Sequence, residues 1–201
     1  MFIMISGSFI DKIMEVLLNL SKLIVCLTGM PGAGKSTIAN GLKAKGFEII
    51  NMGDAVREEA KKRNIDPTGQ NLGKLMLELR EKNGPGAVAE LIRDKIKNSD
   101  SNVIVIDGVR SNEEITILRK MGIVKLLSIH ASTDTRYSFL SDRRRSDDPQ
   151  NRENFNERDT REISVGISTP IALADESLSN NNLTIDELIE HAYKIIQGWQ
   201  K

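Results

Sequence analysis

The chain has 201 residues, 39% hydrophobic and 28% charged, with 28 Lys+Arg balancing 28 Asp+Glu. That length supports one domain with a sizeable core. The even charge balance excludes the global basic field of a nucleic-acid or anionic-membrane binder, so any affinity for phosphate must be local.

Met1 to Lys22 precede the first strand signal. They lack the positive n-region and small-residue cleavage site of a secretory leader, and Asp11, Lys12 and Glu15 interrupt them too early for a membrane span. Phe9, Ile13, Val16, Leu17 and Leu20 share one helical face, opposite Asp11, Glu15 and Lys22. Residues 1–22 therefore read as an amphipathic extension packing on the domain or on a second copy as a homodimer contact. Alternatively, the true start lies at Met4 or Met14. No function rests on this segment.

Leu23 to Thr28 form a short, mostly apolar run that reads as a buried parallel strand. Cys26, the single cysteine, lies within it, so an internal disulfide is excluded and a reducing, cytoplasmic setting is expected. Residues 29–36 (Gly29, Met30, Pro31, Gly32, Ala33, Gly34, Lys35, Ser36) then spell G-x-x-x-x-G-K-[ST], and Thr37 to Lys45 read as a helix. Glycines let backbone N–H groups curl around a polyphosphate, the helix N-terminus adds its positive dipole end, and Lys35 reaches the β- and γ-phosphates. Ser36 is the expected Mg²⁺ ligand. This strand–loop–helix predicts binding of a nucleoside triphosphate.

Strands and helices alternate from here, the pattern of a parallel sheet covered on both faces. Strands are expected at Phe47–Asn51, Asn102–Asp107 and Val124–His130, with a weaker fifth near Glu176–Ser179. Capping boxes at Ser111–Glu114 and Thr184–Glu187 open two helices, the first running through Lys120 and the second through about Gln197. The long insertion from Asp54 to Ser101 is mostly helical, with a break at Asn83-Gly84-Pro85-Gly86.

In a doubly wound sheet, ligands sit just past strand C-termini, where this chain concentrates charge. Asp54 would cap the helix after the second strand, and Arg57, one turn later, would clamp an anionic acceptor. Asp107 ends the third strand as the second acidic element of a phosphate-loop protein, organising Mg²⁺ with Ser36. Arg110 points at the cleft mouth. The run Asp142 to Asp148, continued by Arg152, Arg158 and Arg161, reads as an Arg-rich helical hairpin that closes over the γ-phosphate and shuts out water. Asp147 and Asp148 would pair with its arginines. The polar stretch Ala174–Asn182 would border the base. His130 and His191 join no metal-ligand constellation.

In order, Gly29 to Thr37, Gly53-Asp54-x-x-Arg57, Asp107-Gly108-x-Arg110 and Arg145-Ser146-Asp147-Asp148 resemble the nucleoside monophosphate kinases. The chain is most similar to the adenylate-kinase-related proteins found mainly in archaea, which are grouped with dephospho-CoA kinases. The resemblance covers roughly residues 23 to 195. It implies a P-loop three-layer α/β fold, with a five-stranded parallel sheet in order 2-3-1-4-5, a helical acceptor lobe near 54–99 and a lid near 143–160. It also implies that Arg57 and Arg110 hold the acceptor while Arg145 and Arg158 bridge the two substrates from the lid. The aspartate-to-arginine spacing of the Asp107 motif is one residue shorter than is usual in adenylate kinases, and Ser36 stands where they usually carry Gly. Arg57 follows Asp54 by three residues, as in the adenylate-kinase layout, whereas Ala174-Asp175, Asn180 and Glu187-Leu188 are similar to dephospho-CoA kinase.

The expected function is transfer of the γ-phosphoryl group of Mg-ATP to a nucleotide-like acceptor, an AMP-like monophosphate first. A dephospho-CoA-type hydroxyl acceptor, which would need Asp54 as base, is the alternative within the kinases. A nucleotide-dependent regulatory ATPase without a small acceptor is the alternative outside them. Neither nucleic acid nor membrane is an expected partner.

Overall fold

The computed structural model describes residues 22–143 and 148–201. β1 (Leu23–Thr28), β2 (Glu48–Asn51), β3 (Val103–Asp107), β4 (Ile123–His130) and β5 (Glu176–Ser179) pair in parallel in the order β2-β3-β1-β4-β5. Ten helices occur among the described residues: α1 (Lys35–Ala44), α2 (Met52–Lys62), α3 (Gly69–Asn83), α4 (Ala87–Leu91), α5 (Arg93–Lys97), α6 (Asn112–Leu118), α7 (Thr133–Arg143), α8 (Arg152–Val165), α9 (Ser168–Ala172) and α10 (Ile185–Trp199).

β1 runs down the middle with both faces covered, which is why all six of its residues are buried and it reads as a continuous apolar run. Leu23, Val25 and Leu27 pack with Ile38 and Leu42 of α1 and Leu188, Ala192 and Ile196 of α10. Ile24 and Cys26 pack in a second core with α2–α6, through residues such as Met52, Leu75, Val88, Ile96 and Ile115. Burying side chains of this size contributes roughly 2 kcal/mol each. The insertion read as an acceptor lobe folds as α2–α5, whose apolar sides belong to that second core. From β1 the chain crosses to β2 on one side, and from β3 it crosses over β1 to β4 on the other, so the crevice at the C-terminal end of β1 is the topological switch point.

β1 and β5 have the bounds the sequence predicts, and the break at 83–86 is the end of α3, where Gly84 turns the chain at φ 85°. Three local expectations need correction. Asp54 does not cap α2: Asn51 does, its Oδ1 accepting from the Asp54 N–H at 3.0 Å, because α2 starts directly on the last residue of β2. The Ser111 box is half formed. Ser111 Oγ accepts from Glu114 N–H at 3.2 Å, but the Glu114 carboxylate takes the Arg110 N–H at 2.7 Å, and that helix ends at Leu118, short of Lys120. The first helix starts at Lys35 rather than Thr37, with Gly34 as its left-handed N-cap. The Thr184–Glu187 box is complete. Residues 1–21, which contain the expected N-terminal helix, lie outside the described residues, as does Arg145.

Candidate functional site

The Gly29–Ser36 loop leaves β1 between β4 and the β5–α10 connection. At Gly29, φ is 134°, and a Cβ would stand 2.1 Å from the Ile129 carbonyl oxygen; at Gly34, φ is 108°, and a Cβ would stand 2.5 Å from Asn180 Nδ2. Neither position admits a side chain. Donors from elsewhere in the fold fix the loop: Asn180 Nδ2 donates to the Ala33 carbonyl and Arg136 Nη1 to the Pro31 carbonyl, each at 3.0 Å. Lys35 Nζ donates to the carbonyls of Gly29 at 2.6 Å and Met30 at 3.1 Å, and so lies folded along the loop. Burial lowers its pKa to about 8, against the opposing pull of Asp107.

Parallel register places Asn51, Leu27 and Asp107 side by side at the strand ends. Asp107, 3% exposed, accepts on Oδ2 from Ser36 Oγ at 3.0 Å and from Asn51 Nδ2 at 2.8 Å. Thr28 Oγ1 donates to the Val109 carbonyl at 3.0 Å, and the N–H groups of Gly108 and Val109 donate to the Leu27 carbonyl, so the turn after β3 is sewn to the end of β1. A hydroxyl beside one carboxylate is a hard-oxygen pair. It fits Mg²⁺, which characteristically takes one or two protein ligands plus phosphate oxygens and water. It does not resemble a self-contained cage, and no group of three or more His, Cys, Asp or Glu with metal-holding geometry occurs among the described residues.

The opposite wall is α7 and α8. Arg136 of α7 grips Asp159 of α8 through two bonds of 2.9 and 2.5 Å, with its guanidinium carbon 4.9 Å from the centroid of the Phe155 ring. Arg110 Nε donates to Glu162 Oε2 at 2.6 Å. Asp148 takes Arg143 Nε at 3.0 Å, and Arg158 stands 3.7 Å from it. Burial alone would raise the Glu162 pKa; Arg110 and Arg158 together hold it below the usual carboxylate range. Glu162 in turn pushes the Arg110 pKa up, beyond what burial takes away.

On the β2 side, Asp54 Oδ1 and Arg57 Nη1 pair at 2.6 Å with 63% and 38% of their side chains exposed. The loop, Ser36, Asp107, Asp54, Arg57, Arg110, Arg158 and Glu162 all border one cavity of about 1070 Å³, large enough for more than one small ligand.

Comparison with known proteins places this geometry. The family model described as "AAA domain" matches residues 28–156. A UPF0200 protein of Hyperthermus butylicus is 39% identical over 175 residues, covering 87% of this chain and 94% of its own. The UPF0200 protein of Pyrococcus abyssi is 44% identical over 165 residues, covering 80% and 88%. The chain belongs to the AAA-domain family and is one of the UPF0200 proteins. Among solved structures, TT1252 from Thermus thermophilus has a TM-score of 0.68 at 17% identity, covering 90% of this chain and 98% of that one. Shikimate kinase from Acinetobacter baumannii, in complex with shikimate, has a TM-score of 0.57 at 14% identity, covering 94% and 98%. At such identities the likeness concerns the fold alone: the P-loop kinase-like fold, as the sequence motifs imply.

Of the residues singled out in this UPF0200 chain, Lys35, Ser36, Asp54, Arg57, Asp107, Arg110 and Arg158 meet at one cavity. Sequence reasoning missed Asn51, Arg136, Asp159 and Glu162. One signal for the last two was available. Phe155 is the only apolar residue between 152 and 162, and Asp159 and Glu162 follow it at i+4 and i+7, on the buried face of the helix.

Proposed function

We propose that this UPF0200 protein is a Mg-ATP-dependent phosphotransferase acting on a nucleotide-like acceptor, with an AMP-like monophosphate as first choice. The observation that carries the reading is the convergence of a phosphate loop, a hydroxyl–carboxylate pair and the guanidinium groups of Arg57, Arg110 and Arg158, from three separate parts of the fold, around one cavity. A protein that only binds and releases a triphosphate has no need of a second cationic wall beyond the phosphates.

In this reading the loop amides and Lys35 hold the triphosphate. Ser36 and Asp107 hold Mg²⁺, which supplies charge neutralisation at the phosphates when bound. Phosphoryl transfer asks for positioning and electrostatic stabilisation more than for covalent chemistry. Arg158 supplies positive charge from the lid, while Arg57 and Arg110 hold the acceptor's anion. A phosphate acceptor is already anionic and needs no strong base. A hydroxyl acceptor would, and Asp54, exposed on the cavity wall beside Arg57, is the carboxylate placed for it. The shikimate kinases among the structural neighbours give this hydroxyl reading its weight as second choice.

The test is product analysis with γ-labelled Mg-ATP offered to AMP, the other monophosphates and dephospho-CoA in turn. Labelled diphosphate establishes a monophosphate kinase and names its base. Labelled CoA moves the assignment to hydroxyl phosphorylation, with Asp54→Asn then expected to abolish it. Label appearing only as free phosphate overturns the reading.

A further inference from the structure

Glu162 sits where a phosphotransferase site would be expected to exclude negative charge. Its side chain is 5% exposed, it borders the cavity, and the groups around it are Lys35, Arg110 and Arg158. A buried carboxylate is costly unless paired and hydrogen-bonded, and among the described residues this one is hydrogen-bonded on a single atom: Oε2 accepts from Arg110 Nε at 2.6 Å. The bond falls on the inner edge of the guanidinium. The terminal nitrogens lie beyond that bond at the cavity that Arg110 lines, and Nη1 lies toward Gly108 at the end of β3, 4.0 Å from where a Cβ would stand.

Arg110 is also held at its other end. Its backbone N–H donates to Glu114 Oε2 at 2.7 Å, and Glu114, fully buried, takes Arg80 Nη2 of α3 on its other oxygen at 2.9 Å. A chain of charged contacts thus runs from α3 through Glu114 and Arg110 to Glu162 on α8. It joins the helices beyond β2 to the lid, and both of its carboxylates are buried.

Building on the phosphotransferase reading, we propose that Glu162 is a positioning residue. It fixes Arg110 by the Nε edge so that the terminal nitrogens face the acceptor anion, and it ties the seating of α8 to the placement of that arginine. Glu162 touches no substrate. Its own charge opposes polyphosphate binding, so removing that charge leaves triphosphate affinity intact or tighter while transfer fails. A residue that merely maintained the fold would lower both.

Glu162→Gln and Glu162→Asp in the full chain test this, with the triphosphate Kd from direct titration, turnover with the acceptor the wild type uses, and Tm. For Glu162→Gln the expected result is a turnover loss of about 30-fold or more, a rise in acceptor KM, and a triphosphate Kd equal to or below wild type. Glu162→Asp, which keeps the charge, should recover part of the turnover. Turnover within about twofold of wild type overturns the proposal, as does a Kd that weakens in parallel with turnover. A Glu162→Gln chain that does not fold overturns it as well, by assigning Glu162 to stability. If the wild type hydrolyses the triphosphate without passing label to any acceptor, the phosphotransferase reading has failed by itself. The same split between Kd and hydrolysis rate then decides the role of Glu162.

Discussion

The two walls of the cleft are built by different physics. The sheet wall, with the phosphate loop, Ser36, Asn51 and Asp107, stands on strands whose side chains fill two apolar cores, and parallel register alone brings Asn51 and Asp107 together. The helical wall of α7 and α8, the proposed lid, contains little apolar material. Helix α8 buries Phe155 and then Glu162, and among the described residues it is tied by the pairs Arg136–Asp159, Arg110–Glu162 and Arg152–Asp134, while Arg143–Asp148 ties the end of α7 to the chain before α8. Apolar burial is non-directional and tolerates exchange of similar shapes. Buried ion pairs are directional, and they become liabilities as soon as one partner is missing. The sheet wall is therefore fixed at folding, whereas the lid wall keeps its form only while its charges stay matched.

The sharpest way to break this contrast is to unmatch a pair. Arg136→Ala leaves Asp159 without its bidentate partner and frees the Pro31 carbonyl, and should cost about 3 kcal/mol of stability. Replacing both partners, Arg136→Met with Asp159→Leu, should recover most of that loss, because two apolar groups of similar size remove the uncompensated charge. Urea unfolding of wild type, single and double variants measures both. A double variant no more stable than the single would show that the pair is not what holds α8.

A gentler test sharpens the sheet wall. Lys35 is charged below its pKa of about 8 and neutral above it, and in the proposed function the triphosphate binds the charged form. Affinity should hold level below pH 7 and weaken by up to about tenfold for each pH unit above 8, until the pKa of the bound state is reached. Titrations between pH 6 and 10 check this; a flat profile would mean that Lys35 contributes no charge to binding. The smallest effect belongs to a pair on neither wall. Lys95 and Glu58 meet at 2.8 Å with about half of each side chain exposed, and Lys95→Ala should leave Tm within about 2 °C of wild type.

Legibility in the sequence follows the same division. The phosphate loop is contiguous and its strand–loop–helix context is local, so Lys35 and Ser36 could be read directly. Asp107 announces itself as an acid ending an apolar strand. The likeness to nucleoside monophosphate kinases supplied the strand order, which composition and periodicity do not encode. The lid partners escaped notice for a physical reason: a charged residue on a charged helix is solvated unless tertiary structure decides otherwise. Glu162 is buried where Arg110, 52 residues away, meets it, and Asp159 is drawn inward where Arg136, 23 residues away, does the same. Asn51 was hidden in another way. It ends a strand and caps a helix, two ordinary roles, while register quietly sets its amide on Asp107.

The most direct test of the two-wall account measures triphosphate Kd and turnover side by side for Lys35→Met and Arg158→Met. The account predicts that Lys35→Met loses both. Arg158→Met should keep Kd within about threefold of wild type while turnover drops by about 10²- to 10³-fold, since charge brought in from the lid acts on transfer. If Kd and turnover fall together in both variants, the division between a binding wall and a transferring wall is wrong.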